Sequence, residues 1–321
     1  MNIFITGASG FIGQHLCRHL ASLGHSVTAL HRSTTVSDNT PLPESESTNP
    51  NQATSSITLP DISDITAFHL KEIDVVIHLA GIAHRPGAAK SEYHRVNVEG
   101  TQTLLEACIE AGVKRLIYLS SIKAIAERST LPLKTSIAPA PEDGYGISRL
   151  AAERLLVAST KLEIAIVRVP LVYGKGVKGN FRSLVKLVAS GVPLPFLSIQ
   201  NKRSYLGVGN LCDFLACCVA LEKLPTHIFH LSDGASVSLA GLVRSLYDAM
   251  GKQSRSFWVP QTIVVLLGSI LLGRRRALKL FGDLELDVLA TTKHTGWVPP
   301  YSLHQGLAEM FSQSPTADGR E

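Results

Sequence analysis

The chain has 321 residues, 45% of them hydrophobic and 18% charged, with a formal net charge of +5 at pH 7. That balance supports a globular chain with one large α/β core and a smaller lobe, and excludes disordered, collagen-like and disulfide-stapled classes. The mild positive charge suits anionic small-molecule substrates, whereas basic residues scattered without interleaved aromatics provide no nucleic-acid surface.

The N-terminal apolar run ends in Gly7-x-x-Gly10-x-x-Gly13 and passes into helical spacing over Gln14–Leu23, then into a second strand, Ser26–Leu30. A buried strand that must turn into a helix and let a pyrophosphate meet its free N–H groups needs residues without Cβ atoms. Gly7, Gly10, Phe11, Ile12 and Gly13 are therefore candidate cofactor-binding residues. Nothing resembling a signal peptide precedes the first strand, so a cytoplasmic location is expected.

Ser33 to Pro60 is rich in Ser, Thr, Asn and Pro and reads as an exposed, mobile insertion. Order is predicted to resume with a helix over Ile62–Leu70, followed by strand Asp74–Ala80, helix Tyr93–Ala111, strand Arg115–Ser120, helix Tyr145–Ser159 and strand Glu163–Val169. This alternation predicts an α/β fold: a Rossmann-type, doubly wound parallel sheet over residues 1–169, with Gly7–Gly13, Ala80–Gly81 and Ser120–Ser121 converging beyond its carboxyl ends. Residues 170–312 read mainly as a smaller C-terminal substrate-binding lobe, returning in part to the sheet, with helices near Phe181–Ser190, Asn210–Ala220 and from Leu239. Residues 313–321 form a polar tail. The apolar window Val259–Gly273, ending in Arg274-Arg275-Arg276, is too short to span a bilayer. It is predicted to be a helix packed on the lobe, with membrane contact at most peripheral. Cys17, Cys108, Cys212, Cys217 and Cys218 lie in apolar, helix-like stretches without metal-ligand spacing, so they read as buried thiols and no metal is expected.

Tyr145 and Arg149 open a predicted helix four residues apart, which places a phenol and a cation on one face. A cation at ~5 Å in an effective dielectric of ~20 favours the phenolate by about 3 kcal/mol, which suits acid/base work.

These residues belong to a larger pattern. Gly7-x-x-Gly10-x-x-Gly13, Asp61-Ile62, His78-Leu-Ala80-Gly81, Asn97-Val-Glu-Gly-Thr101, Leu119-Ser-Ser121, Tyr145-x-x-x-Arg149 and Gly296-Trp-Val-Pro299 resemble the extended short-chain dehydrogenase/reductase family, in its nucleotide-sugar branch of UDP-hexose 4-epimerases and 4-ketoreductases. The resemblance implies that Ser121 hydrogen-bonds the reacting oxygen, that Tyr145 exchanges the proton, and that position 149 is the cation that also holds the nicotinamide ribose. It further implies that Asp61 and Ile62 flank the adenine, and that Ala80 and Gly81, together with Asn97, shape the cofactor site. The family has Lys where this chain has Arg149, which keeps the charge but is wider, planar and unable to relay a proton.

The second strand ends Ala29-Leu30-His31-Arg32-Ser33, without the carboxylate that binds a ribose 2′-hydroxyl. Arg32 suits a 2′-phosphate, so NADP(H) is favoured over NAD(H). Ile122 and Lys123 follow Ser121 where dehydratases place an Asp-Glu pair, which argues against elimination of water. By the same resemblance Asn180 and Arg203 contact the diphosphate and uridine of a UDP-sugar. The stretches Ser121-Ile-Lys123, Pro170–Phe181 and Leu231–Gly234 look like the subgroup that reduces UDP-4-keto-6-deoxy-GlcNAc to UDP-N-acetylquinovosamine, and His84 and Lys123 join the substrate-binding set on that likeness alone. The alternatives are a 4-epimerase with retained NAD, and a non-catalytic NADP(H)- or UDP-sugar-binding protein in which Arg149 records lost chemistry. A homodimer is expected from family likeness only.

Overall fold

The structure, a computed structural model, describes residues 1–32, 54–82, 89–225 and 227–312. Its elements are β1 (Asn2–Thr6), α1 (Phe11–Ser22), β2 (Ser26–Arg32), β3 (Thr54–Leu59), β4 (Val75–His78), α2 (Lys90–His94), α3 (Gly100–Ala111), β5 (Arg115–Ser121), α4 (Gly144–Val157), β6 (Glu163–Val169), β7 (Leu171–Tyr173), α5 (Gly179–Ala189), β8 (Tyr205–Gly207), α6 (Val208–Ala220), β9 (Ile228–His230), α7 (Leu239–Ala249), α8 (Gln261–Leu272), α9 (Arg274–Phe281), α10 (Leu289–Thr295) and α11 (Leu303–Phe311). Seven strands form one parallel sheet in the order β3-β2-β1-β4-β5-β6-β9. The order reverses between β1 and β4, and it is at such a switch point that doubly wound sheets open a crevice for ligands.

Alternation along the strands decides which helices cover which face. Ile3, Ile5, Ile117 and Leu119 point to the face covered by α1 and α6, where they meet Leu16, Leu20, Phe214 and Leu215. Phe4, Val76, Leu116 and Tyr118 point to the opposite face and pack with Leu104, Cys108, Ala152 and Leu156 of α3 and α4. Trp297, from the Gly296-Trp-Val-Pro299 motif, closes the first core by packing edge-on against Phe214 and donating to Asp213 Oδ2 at 2.7 Å. A third core joins Tyr173 and Phe181 to Leu242, Leu246 and Leu307, uniting α5, α7 and α11.

Three expectations need correction. Ile62–Leu70 is not one helix but two 3-10 turns, Ile62–Asp64 and Ala67–Leu70. Asp64 and His69 fold back to bond the backbone at Asp61 and Thr66, which offers the chain local partners in place of a continuous ladder. The region read as an insertion over 33–60 contains β3, whose register runs Val27↔Thr54 to Arg32↔Leu59; residues 33–53 lie outside the described residues. Cys17 and Cys217 are half-buried rather than buried. As expected, α8 packs through Val264 into the core shared with α7 and α11; among the described residues its other side is exposed. Residues 313–321, read as a tail, lie outside the described residues. Among the described residues no helix is long and apolar enough to cross a membrane.

Candidate functional site

The glycine turn is built by close approach. Gly7 sits at φ +72°, and a Cβ there would stand 2.7 Å from Ala80 N; at Gly13 a Cβ would stand 2.3 Å from Gly7 O. Gly10 precedes α1 without any side-chain cap, and Phe11 and Ile12 open the helix half-buried, so its first amides face the crevice free of side-chain oxygens. An anion is favoured at such a terminus, and this cradle fits a dinucleotide pyrophosphate.

The neighbouring strand end is held by a buried hydrogen-bond chain. Thr6 Oγ1 accepts from Ala80 N at 3.1 Å and lies 2.7 Å from His78 Nδ1, while His78 Nε2 lies 3.0 Å from Thr101 Oγ1, which itself donates to Asn97 O. Asn97, in a π-helical turn between α2 and α3, accepts from Ile82 N at 2.8 Å and donates to Ile82 O and Ser148 Oγ. Its amide thus clamps the loop after β4 to α4 and shapes the cofactor crevice through that loop. Asp61 is fixed by Ser63 N and by Arg95 Nη1 at 3.1 Å, and Ile62 lies under α3, where a Cβ on Gly100 would meet it at 2.6 Å. Arg32 is exposed at the end of β2.

Tyr145 is seated by the N-terminus of α4. Asp143 caps that helix by accepting from Gly146 N at 2.8 Å, and Gly146 presses on the turn after β5, where a Cβ would stand 2.2 Å from Lys123 O. Lys123 connects the two predicted catalytic groups. Its N–H donates to Ser121 Oγ at 3.2 Å, and its Nζ lies 5.9 Å from the centre of the Tyr145 ring. The Lys123 ammonium pairs with Asp143 at 2.7 Å and Glu127 at 3.3 Å, and Lys279 of α9 completes the cluster at 3.0 Å from Glu127 and 3.7 Å from Asp143. Burial works against the Lys123 charge, but Asp143 and Glu127 outweigh it and raise its pKa above the ordinary lysine value. Burial also opposes the Asp143 carboxylate; its contact with Glu127 and the hydrogen bonds it accepts from Lys123 Nζ and Gly146 N–H reverse this and hold it well below the usual range.

Arg149 is held in the interior beside the Tyr145 ring. The buried guanidinium donates from Nη1 to Tyr118 Oη at 2.9 Å and Leu119 O at 3.3 Å, and its carbon lies 5.3 Å from the Tyr145 ring centre. Gly81 leaves it room, since a Cβ there would stand 2.6 Å from Nη2. Burial disfavours the charge, yet Tyr118 and Tyr145 raise the guanidinium pKa above its already high ordinary value. Arg149 Nε is buried without a partner, an unmet donor beside the cofactor crevice.

The structure therefore brings together Ser121, Lys123, Tyr145, Arg149, Gly81 and Asn97. Asn180 is exposed in the first turn of α5, and Arg203 donates to Gly282 O at 2.9 Å; among the described residues neither shares a hydrogen bond with the Ser121–Tyr145 group. His84 lies outside the described residues. The sequence reading missed Tyr118, Glu127, Asp143 and Lys279. Asp143 alone carried a local signal, a cap residue just before a helix start.

The sheet order, the glycine turn and the buried cation beside a phenol define an enzyme of the extended short-chain dehydrogenase/reductase class. The chain belongs to the NAD dependent epimerase/dehydratase family, whose model matches residues 3–231. It is 37% identical over 329 residues to a UDP-glucose 4-epimerase of Vibrio cholerae, covering 98% of this chain and 96% of the relative. A 2-alkyl-3-oxoalkanoate reductase of Stenotrophomonas maltophilia is 27% identical, with 98% and 99% covered. The solved structure of MoeE5 in complex with UDP-glucuronic acid and NAD superposes with a TM-score of 0.73 at 25% identity, covering 97% of each chain.

Proposed function

We propose that this chain is an NADP(H)-dependent oxidoreductase acting at C4 of a UDP-sugar, reducing UDP-4-keto-6-deoxy-GlcNAc to UDP-N-acetylquinovosamine for surface polysaccharide synthesis. The observation that carries the oxidoreductase reading is the Tyr145 ring, whose centre lies 5.3 Å from the Arg149 guanidinium carbon and 5.9 Å from Lys123 Nζ, with the Lys123 backbone N–H bonded to Ser121 Oγ. The bound nicotinamide supplies hydride exchange at the sugar carbon. Tyr145 gives its proton to the C4 oxygen, Ser121 hydrogen-bonds that oxygen as charge develops, and the two cations stabilise the tyrosinate left behind. The glycine turn and α1 hold the pyrophosphate, and Arg32 takes the 2′-phosphate. Asn180, Arg203 and His84 are proposed for the sugar nucleotide. The substrate lobe is proposed to comprise mainly residues 170–312, with the dimer and the cytoplasm as assembly and location.

The 37% identity to a protein named UDP-glucose 4-epimerase supports a second reading, a 4-epimerase that retains its NAD. Purified protein given NADPH, or separately NADH, and UDP-4-keto-6-deoxy-GlcNAc made in situ by a dehydratase distinguishes them. Loss of reduced-nicotinamide absorbance that Tyr145→Phe abolishes is the expected result. No consumption, with interconversion of UDP-glucose and UDP-galactose, would replace the reductase by the epimerase. Cofactor binding with neither activity would leave a binding protein.

A further inference from the structure

Helix α8 is apolar on two sides. Its inner side packs through Val264, 5% exposed, and through Gly268, where a Cβ would stand 2.6 Å from Phe281 of α9. Its outer side carries Ile263, Leu266, Leu267, Ile270 and Leu271, whose spacing sets them in one stripe along the helix. Leu266 is 60%, Ile270 70% and Leu271 81% exposed, and Trp258, just before the helix, is 65% exposed beside the exposed Phe257. A helix with large aliphatic groups on its outer side is not finished by folding alone, because each such group gains by leaving water.

The charge of the sequence that carries this stripe says what covers it. Between Asp248 and Asp283 the sequence holds Lys252, Arg255, Arg274, Arg275, Arg276 and Lys279, and no carboxylate. Lys279 is paired with Glu127 and Asp143, which still leaves five cations against none in that stretch. Lys252 and Arg255 are held at the end of α5, donating to Ala189 O at 2.7 Å and Gly191 O at 3.1 Å. An apolar stripe, interfacial aromatics and a one-signed basic stretch of sequence together match an anionic lipid surface. Twelve residues make α8 about 18 Å long, short of the ~30 Å hydrocarbon core, so the helix lies on a bilayer rather than through it.

We propose that the α8 face, with Trp258, docks this protein on an anionic phospholipid bilayer. The proposal concerns a surface and does not depend on the sugar substrate. The test is sedimentation of the full chain with vesicles of phosphatidylcholine and phosphatidylglycerol in equal parts, and with phosphatidylcholine alone. Binding is expected to the anionic vesicles, weakening with salt, together with a blue shift of Trp258 emission; Trp297 is buried and Trp258→Phe removes the shift. The double variant Ile270→Glu/Leu271→Glu alters two exposed positions, so it should keep the wild-type thermal midpoint while binding at least about tenfold less. Absence of sedimentation with anionic vesicles, equal binding to both vesicle types, or undiminished binding by the double variant would overturn the proposal. So would conversion of a soluble dimer to monomer by the double variant without lipid binding, which assigns the face to a second copy.

Discussion

Arg149 and Tyr145 stand one helical turn apart on α4, with the guanidinium carbon 5.3 Å from the centre of the phenol ring. Two other groups hold the guanidinium in place, the Tyr118 hydroxyl and the Leu119 carbonyl, so the charge is fixed before any ligand arrives. Removing it by Arg149→Met should lower kcat/KM about a hundredfold, the ~2.7 kcal/mol typical of one lost electrostatic contact to a transition state. Arg149→Lys keeps a cation but leaves Tyr118 and Leu119 short of a donor. It should stay within about tenfold of wild-type activity while losing about 1–3 kcal/mol of stability in denaturant unfolding. If the natural chain is inert and Arg149→Lys creates turnover, Arg149 marks lost chemistry instead.

The second cation is predicted to matter through pH. Asp143 has a pKa below 3.8, so the stability it contributes is present above that value and is lost as pH falls through its depressed folded value. The difference in thermal midpoint between wild type and Asp143→Asn should therefore be constant from about pH 8 to 5 and close below 3.8. A difference that already shrinks between pH 7 and 5 would mean that the carboxylate is not held by Lys123 and Gly146 N–H. Lys123→Met should lower kcat with KM nearly unchanged, because the tyrosinate left by proton transfer loses one of its two cations; a merely structural Lys123 would change stability and leave kcat in place.

Much of this arrangement was legible in the chain itself, and the rest was hidden for identifiable reasons. Three glycines at fixed spacing between an apolar run and a helical one point to a single turn geometry, and spacing of four sets Tyr145 and Arg149 on one face. β3 escaped notice because Thr54–Leu59 is an edge strand in which Ser55, Ser56 and Thr58 are exposed and Ile57 and Leu59 only half-buried, so it carries no buried apolar run. Tyr118 and Lys279 escaped because their roles are set by packing between elements distant in sequence. Strand alternation turns Tyr118 towards α4, and α9 carries Lys279 to Glu127. The exposure of α8 was hidden for the opposite reason, since composition marks a residue as apolar without saying which side of a helix finds a partner.

His78 makes the fold sensitive to mild acid. Thr101 Oγ1 donates to Asn97 O and so accepts from His78 Nε2–H, which leaves Nδ1 to accept from Thr6; the ring is therefore the neutral Nε2–H tautomer. Burial, aided by Arg149, pulls its pKa from 6.5 to about 3. Between those values the unfolded chain takes up a proton that the folded chain refuses, so this stability is full above 6.5 and declines by about 1.4 kcal/mol per pH unit below it. His230, lowered by burial and Arg168 to about 4, adds a similar slope. His78→Gln should flatten the fall in denaturant stability between pH 6 and 4.5 by about one proton's worth, that is, by about 1.4 kcal/mol per unit. An unchanged slope would show that His78 titrates alike in both states.

Cofactor choice is predicted to rest on Arg32. It closes β2 and lies exposed opposite Leu59 of β3. A bidentate guanidinium matches a ribose 2′-phosphate and offers a 2′-hydroxyl much less, so the wild-type KM should be lower for NADPH than for NADH. Arg32→Glu replaces that donor with the acceptor that binds a 2′-hydroxyl and repels a phosphate. The ratio of kcat/KM for NADPH over NADH should then fall by about a hundredfold, with KM changing and kcat nearly constant because Arg32 lies far along the cofactor from Tyr145. The same two measurements bear on the reaction: a reductase consumes a dinucleotide from solution on each turnover, whereas an epimerase recycles one that it retains. A preference for NADH in the wild type, unmoved by Arg32→Glu, would remove Arg32 from the site and favour retained NAD.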